Sequence, residues 1–404
     1  MQLHEAPRDD PSISFRKTFA GIPHRGRGRV DGSYVYACNR PDRKSTTLTP
    51  ISQLRKRSRR RRDFERRQPL NRQWGPTNLV SQDQVIDAVK MTDSLTIVED
   101  VLRAHGEGKV LMPAKVTMDL HRVGVAGWNT AMPAHITPLG ASGVKWVGGY
   151  FHNVERYGLP FVQALILIQH PENGYPVALI EGGYITNLRT GAVAGIIAKH
   201  YANRDSRSMA VIGAGVQGRF ALDGIKRIVP IEEVRVYDVR PEASATYVRE
   251  MKAAHSLNVR QCSTAEEAVR GADIVVTATT ATQPIVKMEW MGPGVTAISI
   301  GSQGQEFDDA AILGADKIVC DSWEQCTHLG ELKPLYDAGK ITEANIFAEI
   351  GETVAGLKPG RQSREEYILV APIGLGSLDI GIAKVAHDQI VASGRELKTF
   401  RFYE

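Results

Sequence analysis

The sequence predicts an α/β protein with a parallel sheet in the second half of the chain and a mostly antiparallel sheet in the first half. Two observations carry this prediction. From Met209 onward, short apolar runs alternate with helical stretches, which is typical of buried parallel strands joined by crossover helices. Between residues 109 and 180, strand-like runs follow one another directly, separated by Gly, Pro and Asn, which favours antiparallel pairing.

The first half opens with two helices, which the spacing of apolar residues places at residues 79–89 and 95–104. The strand-rich region follows from residue 109. Residues 172–176 contain an Asn-Gly pair between two apolar runs and predict a β-hairpin, because both residues tolerate a positive φ. Residues 190–202 predict a helix that leads into the second half.

Charge separates the first 76 residues from the rest of the 404-residue chain. Residues 1–76 hold nineteen Lys or Arg against seven Asp or Glu, a net +12, so the remainder carries −7 of the total +5. Residues 55–67 alone contain nine basic residues in thirteen. Such an arm is compatible with nucleic-acid binding, but the segment lacks a sustained apolar period and interleaved aromatic residues. We therefore interpret residues 1–76 as an Arg-rich disordered extension and do not expect nucleic acid as a partner.

Composition is otherwise ordinary for a globular protein, with 42% apolar and 24% charged residues. No stretch approaches the roughly 18 consecutive apolar residues of a membrane helix, and the N-terminus lacks a secretory-signal pattern. The four cysteines have no CxxC spacing, and the eleven histidines include no HxH or HxxxH pair. The sequence therefore predicts a cytoplasmic protein with reduced thiols, no membrane segment and no catalytic metal.

The most specific local motif begins at residue 209. An apolar strand runs into Gly213-Ala214-Gly215-Val216-Gln217-Gly218, and a helix and a second strand that ends at Asp238 follow. Gly213 permits a tight turn, Gly215 lets the backbone approach a pyrophosphate, and Gly218 lets the helix pack on the strand. The helix N-terminus offers free N–H groups to the phosphates. The acid 20 residues after Gly218 completes the pattern of a Rossmann-type dinucleotide-binding domain.

Asp238 also bears on which dinucleotide binds. A carboxylate at this position can accept hydrogen bonds from the adenosine ribose hydroxyls and would repel a 2′-phosphate, which favours NAD(H). Arg240 leaves NADP(H) open as the less favoured alternative, because a nearby Arg can bind a 2′-phosphate. Further strands are predicted at residues 272–280, 295–300 and 317–320, and the end of the first of these, Thr277-Ala278-Thr279, should face the cofactor.

Several stretches beyond the glycine motif share their order and spacing with one known family. They are residues 112–115 (MPAK), 143–147 (GVKWV), 158–160 (GLP), 186–192 (TNLRTGA), 272–279, 330–332 (GEL), 360–361 (GR) and 376–380 (GSLDI). On these the chain resembles the ornithine cyclodeaminase/μ-crystallin family over residues 77–404. The resemblance implies an NAD-binding Rossmann domain, residues 191–370, inserted in an α+β substrate-binding and dimerisation domain, residues 77–190 completed by 371–404. It also implies a homodimer built through the sheet of that second domain.

The chemistry that the resemblance implies is hydride transfer at a carbon bearing nitrogen, on an amino or imino acid. Lys115 and Arg189 fall at carboxylate-binding positions of the family, and Lys145 falls at its active-site lysine, expected to act in substrate binding and catalysis. From the residues alone, Lys115 is equally well a surface residue, Lys145 a side chain extending past apolar neighbours, and Arg189 an ion-pair partner of an acid such as Glu181.

The predicted cofactor contacts extend beyond the glycine motif. Thr190 and Gly191 are expected to open a helix and donate to a phosphate, with plain capping as the alternative. Asp379 is expected on the nicotinamide side, with N-capping of the following helix as the alternative. The full predicted cofactor set is Thr190, Gly191, Gly213, Gly215, Val216, Gln217, Gly218, Asp238, Arg240, Thr277, Ala278, Thr279 and Asp379.

One segment departs from the ornithine cyclodeaminases. These enzymes carry an Asp just after the strand equivalent to residues 297–300, whereas residues 301–308 here read GSQGQEFD and are shorter. Ser and Gln cannot act as a general base near neutral pH. The sequence therefore favours an NAD(H)-dependent amino-acid dehydrogenase or ketimine reductase. The alternatives are an ornithine cyclodeaminase, which forms proline and ammonia, and a cofactor-binding protein with little catalysis.

Overall fold

The structure, a computed structural model, describes residues 75–301 and 303–402, which belong to one compact unit. The predicted extension, residues 1–76, lies outside the described residues except for its last two. In chain order the strands are β1 (Thr77–Val80), β2 (Val110–Leu111), β3 (Val116–Asp119), β4 (Gly127–Ile136), β5 (Ala141–Tyr150), β6 (Val162–Gln169), β7 (Pro176–Glu181), β8 (Ser208–Ile212), β9 (Glu233–Tyr237), β10 (Asn258–Gln261), β11 (Ile274–Thr277), β12 (Thr296–Ser299), β13 (Lys317–Cys320), β14 (Ile346–Glu349), β15 (Ile368–Ala371) and β16 (Lys398–Phe400).

The helices pack against two sheets built from these strands. They are α1 (Gln82–Ala88), α2 (Met91–Gly106), α3 (Gly183–Tyr201), α4 (Val216–Lys226), α5 (Pro241–His255), α6 (Ala265–Val269), α7 (Asp309–Leu313), α8 (Trp323–Cys326), α9 (Lys333–Asp337), α10 (Ile350–Val354) and α11 (Gly376–Ala392). Helix α11 returns from the second sheet to pack on β4, β5 and β6 of the first. The segment after β15 therefore completes the first half of the fold.

The first sheet is mostly antiparallel, as predicted. Its order is β16-β1-β7-β6-β5-β4-β2, with β3 also pairing with β4, and β1 with β7 is its parallel pair among the described residues. Strands β6 and β7 form the predicted hairpin. The first predicted helix is partly wrong, because residues 79–80 belong to β1 and α1 begins only at Gln82.

The second sheet is parallel throughout, with the order β10-β9-β8-β11-β12-β15-β13-β14. Alternate residues of β8 enter two different apolar clusters: Met209 and Val211 pack on one face, and Ala210 and Ile212 on the other. Both faces of this sheet are thus covered, which explains why its strands read as continuous apolar runs. The predicted Rossmann-type α/β fold is confirmed.

Helix α3 connects the two sheets and corrects one expectation. It begins at Gly183 rather than at Thr190. The carboxylate of Glu181 accepts hydrogen bonds from the N–H groups of Gly183 (2.5 Å) and Tyr184 (3.1 Å), and so satisfies free donors of the first turn. The domain boundary predicted between residues 190 and 191 therefore falls inside one continuous helix. None of the helices in the described ranges is long and apolar enough to cross a membrane.

Candidate active site

A cavity of about 1320 Å³ lies between the carboxyl ends of the central parallel strands and the inner face of the first sheet. On one side it is lined by the glycine loop after β8 and by residues that follow β9 and β11. On the other it is lined by alternate residues of β3, β4 and β5. Ligands of open α/β sheets bind at this edge, outside the carboxyl ends of the strands. The cavity is therefore the candidate site for both cofactor and substrate.

The glycine loop has the geometry that the motif predicted. Gly213 has φ +101°, and a Cβ there would lie 2.6 Å from the carbonyl oxygen of Ala278, so the turn excludes a side chain. Gly215 faces open space at the cavity, where a pyrophosphate could approach its backbone. A Cβ on Gly218 would lie 2.7 Å from the Gly213 carbonyl oxygen, which reflects close packing of α4 on β8.

Asp238 lies directly after β9 and faces the loop. Its carboxylate accepts hydrogen bonds from the backbone N–H groups of Ala214 and Arg240, both at 2.9 Å. The guanidinium of Arg240 is largely exposed, with its Nε 3.6 Å from Asp238. Both residues line the cavity. The carboxylate is therefore held at the place where the fingerprint expects a ribose-binding acid, and Arg240 is engaged with it.

Some of the other predicted cofactor residues line the cavity and others do not. Val216, Gln217, Ala278 and Thr279 line it, and Gln217 is tied to α3 because its Nε2 donates to Asn187 Oδ1 (2.9 Å). Thr277 does not line it. Its hydroxyl donates to buried Glu306 at 2.7 Å instead.

Thr190 and Gly191 do not open a helix, contrary to the prediction. They lie in the middle of α3, where the Thr190 hydroxyl donates to the carbonyl of Thr186 (2.7 Å). Thr190 still lines the cavity, but Gly191 packs against α4, where a Cβ would lie 2.3 Å from the carbonyl oxygen of Phe220. Gly191 thus serves a close helix crossing, and the predicted phosphate contact of its N–H is wrong, since that group lies inside a helix.

Three predicted substrate cations converge on the cavity wall. Lys145, on β5, is fully buried, and its Nζ donates to Asp379 Oδ1 at 2.8 Å. The Nε of Arg189, on α3, lies 3.5 Å from Asp379 Oδ2. The Nζ of Lys115 donates to the carbonyls of Ile373 (2.9 Å) and Gly374 (3.2 Å). Arg189 therefore pairs with Asp379 and not with Glu181.

Asp379 is placed differently from its prediction as a cofactor contact. It is the fourth residue of α11, fully buried, and does not line the cavity. Leu375, and not Asp379, precedes the helix as its N-cap residue. The carboxylate instead lies behind Lys145 and Arg189 and compensates their charge, as a buried ion pair requires.

Burial makes both lysines unusually weak bases. It lowers the pKa of Lys145 to about 8, opposed chiefly by the negative charge of Asp379 and aided by the positive charge of Arg189. Burial likewise lowers the pKa of Lys115 to about 8, opposed by buried Asp321. A lysine with a pKa near 8 is mostly protonated at neutral pH, yet gives up its proton readily. Such a group can bind a carboxylate or exchange a proton with a substrate nitrogen.

The sheet face next to Lys145 supplies residues that the sequence could not place. Thr117, Trp128, Thr130 and Val147 line the cavity together with Lys115 and Lys145. Their strand positions alternate, and Thr117 opposes Thr130 while Thr130 opposes Val147. His135 and Tyr150, on the same strands but with the opposite alternation, do not line it. Strand register, once known, would have been the signal that separates these groups.

The shortened loop after β12 brings no carboxylate into the cavity. Gly301 and Gln303 line it, whereas Asp308 accepts a hydrogen bond from the N–H of Ala311 (2.7 Å) and caps α7. Asp309 pairs with Lys340 at 2.6 Å. The position that carries a general base in ornithine cyclodeaminases has no equivalent carboxylate among the cavity residues that the structure describes.

Fold and site together define the class: an α/β enzyme in which a Rossmann-type dinucleotide loop faces a pocket of cations. The chain belongs to the ornithine cyclodeaminase/mu-crystallin family, whose family model matches residues 77–394. It is 37% identical over 330 residues to the alanine dehydrogenase of Archaeoglobus fulgidus, a match that covers 80% of this chain and 99% of that protein.

Two solved structures are similar over most of the chain. One is an archaeal alanine dehydrogenase dimer with bound NAD, with a TM-score of 0.76 and 35% identity, covering 81% of this chain and 100% of that one. The other is Thermococcus litoralis Δ1-pyrroline-2-carboxylate reductase in complex with NADH and L-proline, with a TM-score of 0.75 and 32% identity, covering 79% and 98%. The predicted family and the prediction of NAD as cofactor are confirmed.

Proposed function

We propose that this protein is an NAD(H)-dependent oxidoreductase that transfers a hydride at the α-carbon of an amino or imino acid, as an amino-acid dehydrogenase or ketimine reductase. One observation carries the proposal: Lys115, Lys145 and Arg189 converge on the same cavity as the glycine loop. Relatives with alanine dehydrogenase and pyrroline-2-carboxylate reductase activity support it.

The residues divide the work as follows. The loop at Gly213–Gly218 and Asp238 hold the dinucleotide, which supplies or accepts the hydride when bound. Arg189 and Lys115 bind the substrate α-carboxylate, since both are cations at the cavity wall. Lys145 donates a proton to the substrate nitrogen during imine reduction and accepts it during amine oxidation, which its lowered pKa permits. Asp379 keeps Lys145 and Arg189 in place.

The activity is tested by following NADH absorbance in both directions. One arm offers NAD⁺ with L-alanine, L-proline, L-ornithine and L-arginine while ammonia is assayed. The other arm offers NADH with cyclic imino acids, or with pyruvate plus an amine. A net change in NADH supports the proposal if Lys145→Met abolishes this change and the exposed control Lys287→Met retains it. Ammonia released from ornithine without a net NADH change would instead indicate cyclodeamination. NADH binding without turnover would indicate a cofactor-binding protein.

We further propose a homodimer built on the outer face of the first sheet. Val116, Ala131, Trp146 and Leu165 stand directly opposite one another across β3 to β6. Three of them are exposed: Val116 by 67%, Trp146 by 45% and Leu165 by 49%. A contiguous exposed apolar row marks an interaction surface, and the similar alanine dehydrogenase structure is a dimer.

The dimer is tested by light scattering after size-exclusion chromatography. Trp146→Glu places a charge in the row and should yield a monomer, whereas Leu357→Glu, exposed elsewhere, should leave the mass unchanged. A wild-type monomer at micromolar concentration would contradict this interface.

The domain division at residues 77–190 with 371–404 and 191–370 stays a proposal, supported by the return of α11 to the first sheet. We also propose a cytoplasmic location. Cys262, Cys320 and Cys326 are buried free thiols, which fits a reducing compartment.

A further inference from the structure

Two buried glutamates lie directly behind the cofactor side of the cavity, outside the residues that the proposed function uses. Glu306 is fully buried, and Glu331 is 4% exposed. Neither forms an ion pair with a residue that the structure describes. Uncompensated buried carboxyl groups are costly, so hydrogen bonds must account for their presence.

Glu306 joins two segments that line the cavity. Its Oε1 accepts hydrogen bonds from the backbone N–H (2.8 Å) and the hydroxyl (2.7 Å) of Thr279, beyond the end of β11. Its Oε2 accepts from the Thr277 hydroxyl (2.7 Å) and from the N–H of Gly301 (3.0 Å), just after β12. One carboxylate therefore fixes the separation of Thr279 and Gly301, which both face the cavity.

Glu331 fixes Glu306 in turn. Its Oε2 accepts from the N–H of Glu306 and its Oε1 from the N–H of Phe307, both at 2.9 Å. The hydroxyl oxygen of Ser299 lies between the two carboxyls, 2.7 Å from Glu331 Oε2 and 3.2 Å from Glu306 Oε2. A hydroxyl has a single proton, so Ser299 can donate to only one of them.

A single proton held by the two carboxyl groups explains how Ser299 can contact both of them. With one carboxyl protonated, both contacts to Ser299 become hydrogen bonds. With both ionised, one contact has no hydrogen and two negative charges share a buried site. Burial raises the pKa of Glu306, and burial together with the charge of Glu306 raises the pKa of Glu331 to about 7. Among the described residues, Tyr367 also faces Glu331, and burial raises the pKa of this tyrosine.

We propose that Glu306 and Glu331 share one proton through Ser299 and position Thr279 and Gly301 for the dinucleotide, so that loss of this proton weakens NAD(H) binding. The reason is mechanical and electrostatic. Repulsion between the two carboxylates across Ser299 displaces the Glu306 side chain, which holds both segments. Loss of the proton also adds a negative charge behind a site that binds phosphates. The proposal rests on the proposed function only in taking NAD(H) as the ligand.

The test measures the NADH Kd by fluorescence from pH 6 to 9 on the full chain. For the wild type we expect the Kd to rise about tenfold with a midpoint near pH 7. Glu331→Gln, which cannot ionise, should remove this step. Ser299→Ala should move the midpoint downward, because Ser299 makes two hydrogen bonds to the protonated pair and only one to the ionised pair. The matched control Glu289→Gln, at an exposed position, should retain the wild-type curve.

A second readout does not depend on NADH. A protonated-carboxyl infrared band should disappear from the wild type as the pH rises through 7 and should be lost in Glu331→Gln. By reciprocity, NADH should shift its midpoint upward by about one unit. A pH-independent Kd in the wild type, or an unchanged step in both variants, would overturn the proposal. Absence of NADH binding at every pH would refute the proposed function as well, even if the infrared band titrates.

Discussion

Replacing Asp379 with Asn removes the buried carboxylate that lies 2.8 Å from the ammonium of Lys145. An opposite charge at this distance raises a lysine pKa by about 1–3 units. Lys145 has a pKa of about 8 with Asp379 present, so the variant should bring it to roughly 5–7. At pH 7 the protonated fraction of Lys145 would fall from about 90% to between about 50% and 1%.

The assay is the pH dependence of kcat/KM for imine reduction, followed by NADH absorbance between pH 5 and 10. We expect the alkaline limb near pH 8 in the wild type to move down by about 1–3 units in Asp379→Asn. Asp388→Asn is the matched control, since Asp388 is on the same helix but exposed and paired with Lys384. If the variant is folded and its alkaline limb stays near pH 8, Lys145 is not the group that titrates.

Three further outcomes are expected. Asp238→Asn should weaken NADH binding about tenfold, because charged hydrogen bonds to the ribose are lost, and the affinity for NADPH should increase relative to that for NADH. Equal losses of affinity for both cofactors would contradict the assigned role. Gly191→Ala should lower the free energy of unfolding by about 1–3 kcal/mol, because the added Cβ would clash with α4. Gly215→Ala should leave the stability unchanged and raise the NADH Kd. Urea unfolding measures the first effect and NADH fluorescence the second. Burial raises the pKa of Glu331 from 4.5 to about 7, so the free energy of unfolding should fall by about 3 kcal/mol as the pH rises between these values. Urea unfolding of Glu331→Gln should show no such fall.

The substrate side shows why part of the site could not be predicted. Lys145 and Arg189 were placed through the resemblance to the family, but Asp379 was assigned to the cofactor. Its carboxylate meets the two cations only because α11 returns from the second sheet to cover the first, 234 residues beyond Lys145. Such a contact depends on the packing of distant elements, and neither spacing nor periodicity encodes it locally.

By itself the sequence determined the parallel sheet, the glycine loop, the acid at Asp238 and the class of cofactor. Those features depend on local rules: a buried parallel strand is an apolar run, a tight phosphate loop needs glycine, and the acid must end the next strand. Only the tertiary structure decided which residues share the cavity face of β3 to β5, where α3 begins, and that Glu306 and Glu331 meet at Ser299. Strand register and the approach of the buried carboxyls arise from contacts between separate segments of the chain, which spacing within one segment does not encode.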